Sequence, residues 1–217
     1  MGYKAIIFDL DGTLLNTLQD LADSMNRILT AEGLPVHPTD AYRYFVGDGI
    51  RNLVKRSLPE GMREGQKVEE LKQAMLDDYS EHWADATRPY TGVPEMLRSL
   101  EDQGLPMAIL SNKTHTFTIR VVERLLSEHN FSHVLGAREN VPIKPDPAAA
   151  FELAGLLDLD PDCIAYAGDT STDMKTGIAA GFFTIGVTWG FRPPEELLEH
   201  GAQALVDKPE ELVSLIA

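Results

Sequence analysis

The chain has 217 residues, of which 43% are apolar, 24% charged and 7% aromatic, enough apolar sequence to bury a core as one domain with an appendage or as two small domains, and too much for a disordered chain. Nineteen Lys and Arg stand against 34 Asp and Glu, a formal charge of −15, which opposes the phosphate neutralisation that general nucleic-acid binding needs. A single cysteine, Cys163, excludes an internal disulfide framework and a cysteine zinc site, and with no long apolar window and a start, Met1–Asp11, too short and acidic for a secretory signal, the expectation is a soluble cytoplasmic protein with no membrane partner.

The first apolar run, Ala5–Phe8, reads as a buried strand and passes straight into Asp9-Leu10-Asp11-Gly12-Thr13. From about Asn16 to Thr87 no strand pattern is convincing. Leu18, Leu21, Ala22, Met25, Ile28 and Leu29 recur at helical spacing, and a second helical pattern covers Glu64 to Trp83. Between them Gly47 and Gly49 flank Asp48 at a predicted helix start, with Arg51 and Lys55 on one face of that helix. Pro89-Tyr90-Thr91-Gly92 marks a turn, after which strands and helices alternate.

That alternation predicts helices over Val93–Gln103, Thr114–Ser127, Pro147–Leu157 and Thr172–Ala180. The predicted strands are Met107–Leu110, His133–Leu135, Cys163–Ala167, Phe182–Val187 and Ala204–Val206. Asp146 is placed as an N-cap acceptor before Pro147 at the first helical position, and Gly104 and Gly181 as left-handed residues that end helices. Cys163, within an apolar strand, reads as inert core, and Trp83 and Trp189 as packing residues. The class is α/β: a Rossmann-like parallel-sheet core, residues 1–15 and 88–217, with helices on both faces, interrupted by a small helical domain, residues 16–87.

In open parallel sheets ligands sit beyond the carboxyl ends of the strands. Asp9, Asp11, Asp169 and Asp173 are therefore predicted to converge at one edge, where their mutual repulsion calls for a cation. Oxygen donors without His or Cys nearby in sequence point to a hard ion, and Mg²⁺ suits a site that shares its ligands with a substrate phosphate. Ser111 and Asn112, after the strand ending at Leu110, offer a hydroxyl and a backbone amide to a phosphate oxygen. Lys144, before Pro145, adds an ammonium for phosphate and carboxylates together. A nucleophile with fixed positive charge beside it is what phosphoryl transfer requires. Taken singly, Asp9 or Asp169 reads equally as a helix cap, Ser111-Asn112 as an ordinary turn, and Lys144, Arg51 and Lys55 as solvated side chains; the full ordered set favours the chemistry. Gly47-Asp48-Gly49 lacks the third glycine of a dinucleotide loop, Asn52 standing there.

Asp9-Leu10-Asp11-Gly12-Thr13, Ser111-Asn112, Lys144-Pro145-Asp146 and Gly168-Asp169 with Asp173 resemble the four ordered motifs of the haloacid dehalogenase superfamily, and the helical insertion resembles its small cap. The resemblance covers essentially the whole chain. It implies Asp9 as the nucleophile that forms an aspartyl phosphate and Asp11 as general acid and then base. It further implies Mg²⁺ on the Asp9 carboxylate, the Asp11 backbone carbonyl and Asp169, with Asp173 ligating directly or through water. Ser111, Asn112, Lys144, Gly12 and Thr13 would grip the phosphate. The acid two residues after the nucleophile favours a phosphatase or phosphomutase over a dehalogenase.

Val46-Gly47-Asp48-Gly49-Ile50, Ser111-Asn112-Lys113 and Val187-Thr188-Trp189-Gly190 are similar to segments of phosphoglycolate phosphatases, which makes a small phosphorylated metabolite, foremost 2-phosphoglycolate, the expected partner. Arg51 and Lys55 with the helix start at Gly49 are candidates for its carboxylate. A phosphomutase, an inorganic pyrophosphatase and a non-catalytic phosphate-binding protein remain the alternatives.

Overall fold

The computed structural model describes residues 2–216. In chain order it contains β1 (Ala5–Phe8), β2 (Leu15–Asn16), α1 (Leu18–Ala31), α2 (Ile50–Ser57), α3 (Gln66–His82), β3 (Arg88–Pro89), α4 (Val93–Asp102), β4 (Met107–Thr114) and α5 (His115–Leu125). There follow β5 (His133–Ala137), α6 (Ala148–Leu157), β6 (Ile164–Gly168), α7 (Ser171–Ala180), β7 (Phe183–Val187), α8 (Pro194–Glu199), β8 (Ala204–Val206) and α9 (Pro209–Ile216). The chain divides into two compact units, residues 1–15 with 89–217 and residues 16–88.

The first unit is built on a six-stranded sheet in the order β5-β4-β1-β6-β7-β8. Every pairing is parallel and helices flank the sheet, the α/β class expected from the alternation. All four residues of β1 are fully buried, which is why this strand is a continuous apolar run instead of an alternating one. Ile7, Ala108, Leu110 and Tyr166 belong to one core cluster with Ala149, Ala150 and Leu153 of α6. The register sets Phe8 beside Ile109 on one side and Ala167 on the other. The residues that follow these three strands therefore emerge together at one edge.

Several boundaries differ from expectation. β4 runs on through Ser111, Asn112 and Lys113 to Thr114, with its register against β5 shifting between Leu110 and Thr114; polar residues there are held by pairing that periodicity cannot anticipate. Cys163 is not in a strand. It closes a 3-10 turn, Pro161–Cys163, its N–H bonded to the Asp160 carbonyl, and is only half-buried. α6 begins at Ala148, whose N–H donates to Asp146 Oδ1 at 2.9 Å, so Pro147 stands just outside the regular helix. Gly104 and Gly181 do adopt positive φ, 70° and 78°. α8 and α9 were not anticipated, although each opens on Pro followed by two Glu, a proline and first-turn acid signature of a helix start.

The second unit is helical. α1 buries Leu21, Met25 and Leu29, and α3 buries Val68, Leu71, Met75 and Tyr79. Arg27 forks onto Asp78, with Nε to Oδ2 at 2.9 Å and Nη2 to Oδ1 at 2.6 Å, joining α1 to α3. Buried Asp20 accepts from the N–H groups of Ala86 and Thr87, each at 2.8 Å, and from the Thr87 hydroxyl at 2.7 Å, which ties α1 to the end of the same unit. Among the described residues no helix is long and apolar enough to cross a membrane.

Candidate active site

β1 delivers Asp9, whose N–H bonds to the Ala167 carbonyl of β6 at 2.9 Å. The chain then turns sharply: the N–H groups of Leu14 and Leu15 both reach back to the Leu10 carbonyl, and Gly12 takes φ 94°. No side chain fits at Gly12, because a Cβ there would collide with the Asp169 carboxylate. β6 delivers Asp169. Gly168 before it is equally constrained, since a Cβ would meet Asp173. Asp173 is the third residue of α7 and completes a capping box with Thr170.

Lys144 organises these groups. Its Nζ lies 2.8 Å from Asp9 Oδ1, 2.7 Å from Asp173 Oδ1, 2.9 Å from the Leu110 carbonyl and 2.9 Å from the Tyr166 hydroxyl. It is 3% exposed. The Tyr166 hydroxyl in turn donates to Asp173 Oδ1 at 3.1 Å. Asn112 holds the backbone of Lys144 from both directions: its Nδ2 donates to the Lys144 carbonyl at 3.0 Å, and its Oδ1 accepts the Lys144 N–H at 2.9 Å. The Asn112 carboxamide is thus committed to placing Lys144; the expectation for phosphate concerns its backbone amide, not this group. Buried Ser111 accepts the Lys113 N–H on Oγ at 3.2 Å.

One ligand oxygen from each of Asp9, Asp169 and Asp173 lies within 4.8 Å of the others, and all three residues are buried. Three carboxylates against one ammonium are under-compensated in a low dielectric. Burial, and then the nearby Asp173, push Asp9 up to about 7 despite the opposing pull of Lys144. Burial with Asp173 and Asp9 raises Asp169 well above the usual carboxylate range. Lys144 is held well above its ordinary value by Asp173 and Asp9, which outweigh desolvation, the largest single influence and one that acts the other way. A small all-oxygen cluster with excess negative charge fits a hard divalent cation.

Asp11 stands apart from that trio. Its Oδ1 accepts from Lys113 Nζ at 2.8 Å, and the same ammonium lies 5.5 Å from the centre of the Phe117 ring. Thr13 does not face outward: its hydroxyl donates to Asp169 Oδ1 at 3.0 Å. Arg51 and Lys55 belong to the helical unit, where Arg51 Nε meets Glu69 and Lys55 Nζ meets Glu64, each at 2.6 Å. Both cations already face carboxylates of their own unit.

Four contributors escaped sequence reasoning. Lys113 has a place in sequence only within the Ser111-Asn112-Lys113 motif, and its pairing with Asp11 joins the ends of the neighbouring strands β4 and β1, 102 residues apart in the chain. Tyr166 looked like core; the one available signal was a hydroxyl inside a fully buried strand, which must find a partner. Thr170 and the 189–191 segment act by hydrogen bonds that no spacing announces.

The profile described as haloacid dehalogenase-like hydrolase matches residues 6–187. An N-acetylmuramic acid 6-phosphate phosphatase from Pseudomonas aeruginosa is 35% identical over 218 residues, covering 100% of this chain and 96% of that protein. A phosphoglycolate phosphatase from Haemophilus influenzae is 32% identical over 220 residues, covering 99% and 98%. Among solved structures, a protein from Lactobacillus delbrueckii subsp. bulgaricus, provisionally named a phosphoglycolate phosphatase, superposes with a TM-score of 0.93 at 28% identity, covering 100% of this chain and 99% of its own.

Proposed function

The chain belongs to the haloacid dehalogenase-like hydrolases and is a phosphatase of that family, and from that premise we propose that it hydrolyses a phosphomonoester of a small carboxylic acid, foremost 2-phosphoglycolate, through an aspartyl phosphate on Asp9. The observation that carries this reading is the buried Lys144 ammonium shared between Asp9 and Asp173 beside Asp169.

On this reading an Asp9 carboxylate oxygen attacks phosphorus as the bond to the leaving oxygen breaks, and Asp11 donates a proton to that oxygen. Asp11 then takes a proton from water, which attacks the phosphorus of the aspartyl phosphate, releasing inorganic phosphate and restoring Asp9. Lys144 and Ser111, with backbone N–H groups of the Asp9–Thr13 turn and Asn112, hold the phosphoryl oxygens where negative charge accumulates. Mg²⁺, held by the Asp9 and Asp169 carboxylates and the Asp11 carbonyl, would balance the buried negative charge and polarise the phosphoryl group. The Asp173 oxygens already accept from Lys144, Tyr166 and, twice, Thr170, so Asp173 would reach the ion through a bound water while it holds Lys144 and the start of α7.

N-acetylmuramic acid 6-phosphate is a second reading, favoured by the 35% identity over the full chain to a phosphatase named for it. Both candidates are phosphomonoesters that also carry a carboxylate. Nothing about either requires a compartment other than the cytoplasm, where we place the protein. Comparison of kcat/KM across 2-phosphoglycolate, N-acetylmuramic acid 6-phosphate, pyrophosphate, hexose phosphates and an aryl phosphate, each with and without Mg²⁺, tests the proposal. Free phosphate is the expected product, with preference for a carboxylate-bearing ester. Isomerised sugar phosphate would mean a mutase, and no turnover on any member of the panel would mean a binding protein.

A further inference from the structure

The segment after β7 has no part in the scheme above, yet it touches the site at three points. The Trp189 indole Nε1 donates to the Thr13 carbonyl at 2.9 Å, and the Thr13 hydroxyl donates to Asp169 Oδ1 at 3.0 Å. The Phe191 N–H donates to the other oxygen, Asp169 Oδ2, at 2.8 Å. Between these two residues, a Cβ on Gly190 would collide with the Asp169 side chain and stand 2.6 Å from the Gly12 carbonyl oxygen. The segment therefore packs backbone-to-carboxylate with no space for a methyl group.

We propose that Trp189-Gly190-Phe191 is the positioning element for Asp169, anchored by the Trp189 indole through Thr13. Asp169 Oδ1 accepts from Thr13 and Oδ2 from Phe191, and one of these oxygens lies within 4.8 Å of a carboxylate oxygen of Asp9 and of Asp173. Rotation of the carboxylate would break one bond or the other. Donors to a ligating carboxylate fix its orientation toward the metal, and losing one costs about 10–100-fold in metal affinity or activity. This role rests on the metal-dependent reading above, and it makes Trp189 more than the packing residue its sequence context suggests. It also assigns a task to the Trp189-Gly190 pair that the motif resemblance left without one.

The test is Mg²⁺ binding by calorimetry, with the metal alone and no substrate. Trp189→Phe keeps the apolar ring and removes the donor; the expected result is a Kd about 10-fold or more weaker, with the KM for an aryl phosphate at saturating Mg²⁺ little changed. A double-mutant cycle with Thr13→Val should be non-additive, since both substitutions break one path. In a Trp83→Phe background, emission from Trp189 should shift on Mg²⁺ addition with the calorimetric midpoint, and this measurement decides the matter if Trp189→Phe does not fold. An unchanged Kd in folded Trp189→Phe, or additive losses in the cycle, overturns the inference, as does a silent Trp189 where the emission measurement decides. Wild-type protein that binds Mg²⁺ and loses it in Asp169→Asn upholds the metal reading independently; wild-type protein that binds none overturns both.

Discussion

Lys113 and Asp11 form an ion pair at 2.8 Å with side chains 9% and 14% exposed, across the gap between the end of β4 and the turn after β1. A charge pair this sheltered is costly to break from one side, because the remaining group stays desolvated and unpaired. One member, Asp11, is the proposed acid and base, so loss of the pair is expected to reach catalysis. Lys113→Met keeps an unbranched side chain of similar length and removes the charge. The expected outcome is a fall in kcat/KM of about 10-fold or more for an alkyl phosphate, whose leaving oxygen needs protonation, and a smaller one for an aryl phosphate. Equal losses for the two esters would contradict a link through Asp11.

Replacing Asp9 by Asn keeps the shape of the nucleophile and removes its charge. Turnover should disappear while the circular dichroism spectrum and cooperative unfolding persist. Asp11→Asn should slow the reaction by about 10²–10⁴-fold and let phosphorylated protein accumulate after acid quench. Near-normal activity in the Asp9 variant would refute the covalent route.

Lys144→Met leaves Asp9 and Asp173 without their shared cation in a buried setting. Loss of one partner from such a pair costs about 3–5 kcal/mol, so thermal unfolding of the metal-free variant should shift markedly downward. An unchanged melting temperature would show that the ammonium does not compensate the carboxylates.

The raised Asp9 value sets the pH response. Below about 7 the folded, metal-free protein holds a proton on Asp9 that the unfolded chain, with an ordinary carboxylate near about 3.9, has already released. The folded state therefore binds more protons across that window, and the Asp9 contribution to stability falls as pH rises from about 4 to 7. Asp9→Asn should lack this component, visible as a pH-dependent difference between the two unfolding free energies. Metal must displace protons from Asp9 and from Asp169, whose carboxyl is likewise raised, so apparent Mg²⁺ affinity should climb as pH rises toward and through about 7. Affinity independent of pH in that range would exclude Asp9 as a ligand.

Arg51 and Lys55 meet Glu69 and Glu64 on a solvent-screened surface, so Arg51→Ala and Lys55→Ala should leave unfolding nearly unchanged. If they receive the substrate carboxylate, KM for 2-phosphoglycolate rises by about 10-fold while KM for an aryl phosphate does not. Parallel behaviour of the two substrates would place carboxylate recognition elsewhere.

How much was legible follows from where each residue's partner lies. Asp9 and Asp169 stood out because each ends an apolar run, and Ser111 and Lys144 because they held their places in an ordered set. Asn112 was legible as a member of that set through its backbone amide, whereas the bonds of its carboxamide to the Lys144 backbone, 32 residues away in the chain, were not. Lys113 and Tyr166 are the converse: ordinary by local pattern, yet bonded to Asp11 and Lys144.

Apolar spacing is a local and periodic property, so it alone marked the six core strands, though not the polar end of β4, and the helical insertion after the first of them. The strand order and the register of Phe8 against Ile109 and Ala167 are properties of the folded sheet. They determine which strand ends are neighbours, and so which carboxylate meets which ammonium and which indole reaches which carbonyl. A hydrogen bond depends on ångström-scale distance and direction between groups far apart along the chain, and only the packed tertiary structure supplies these.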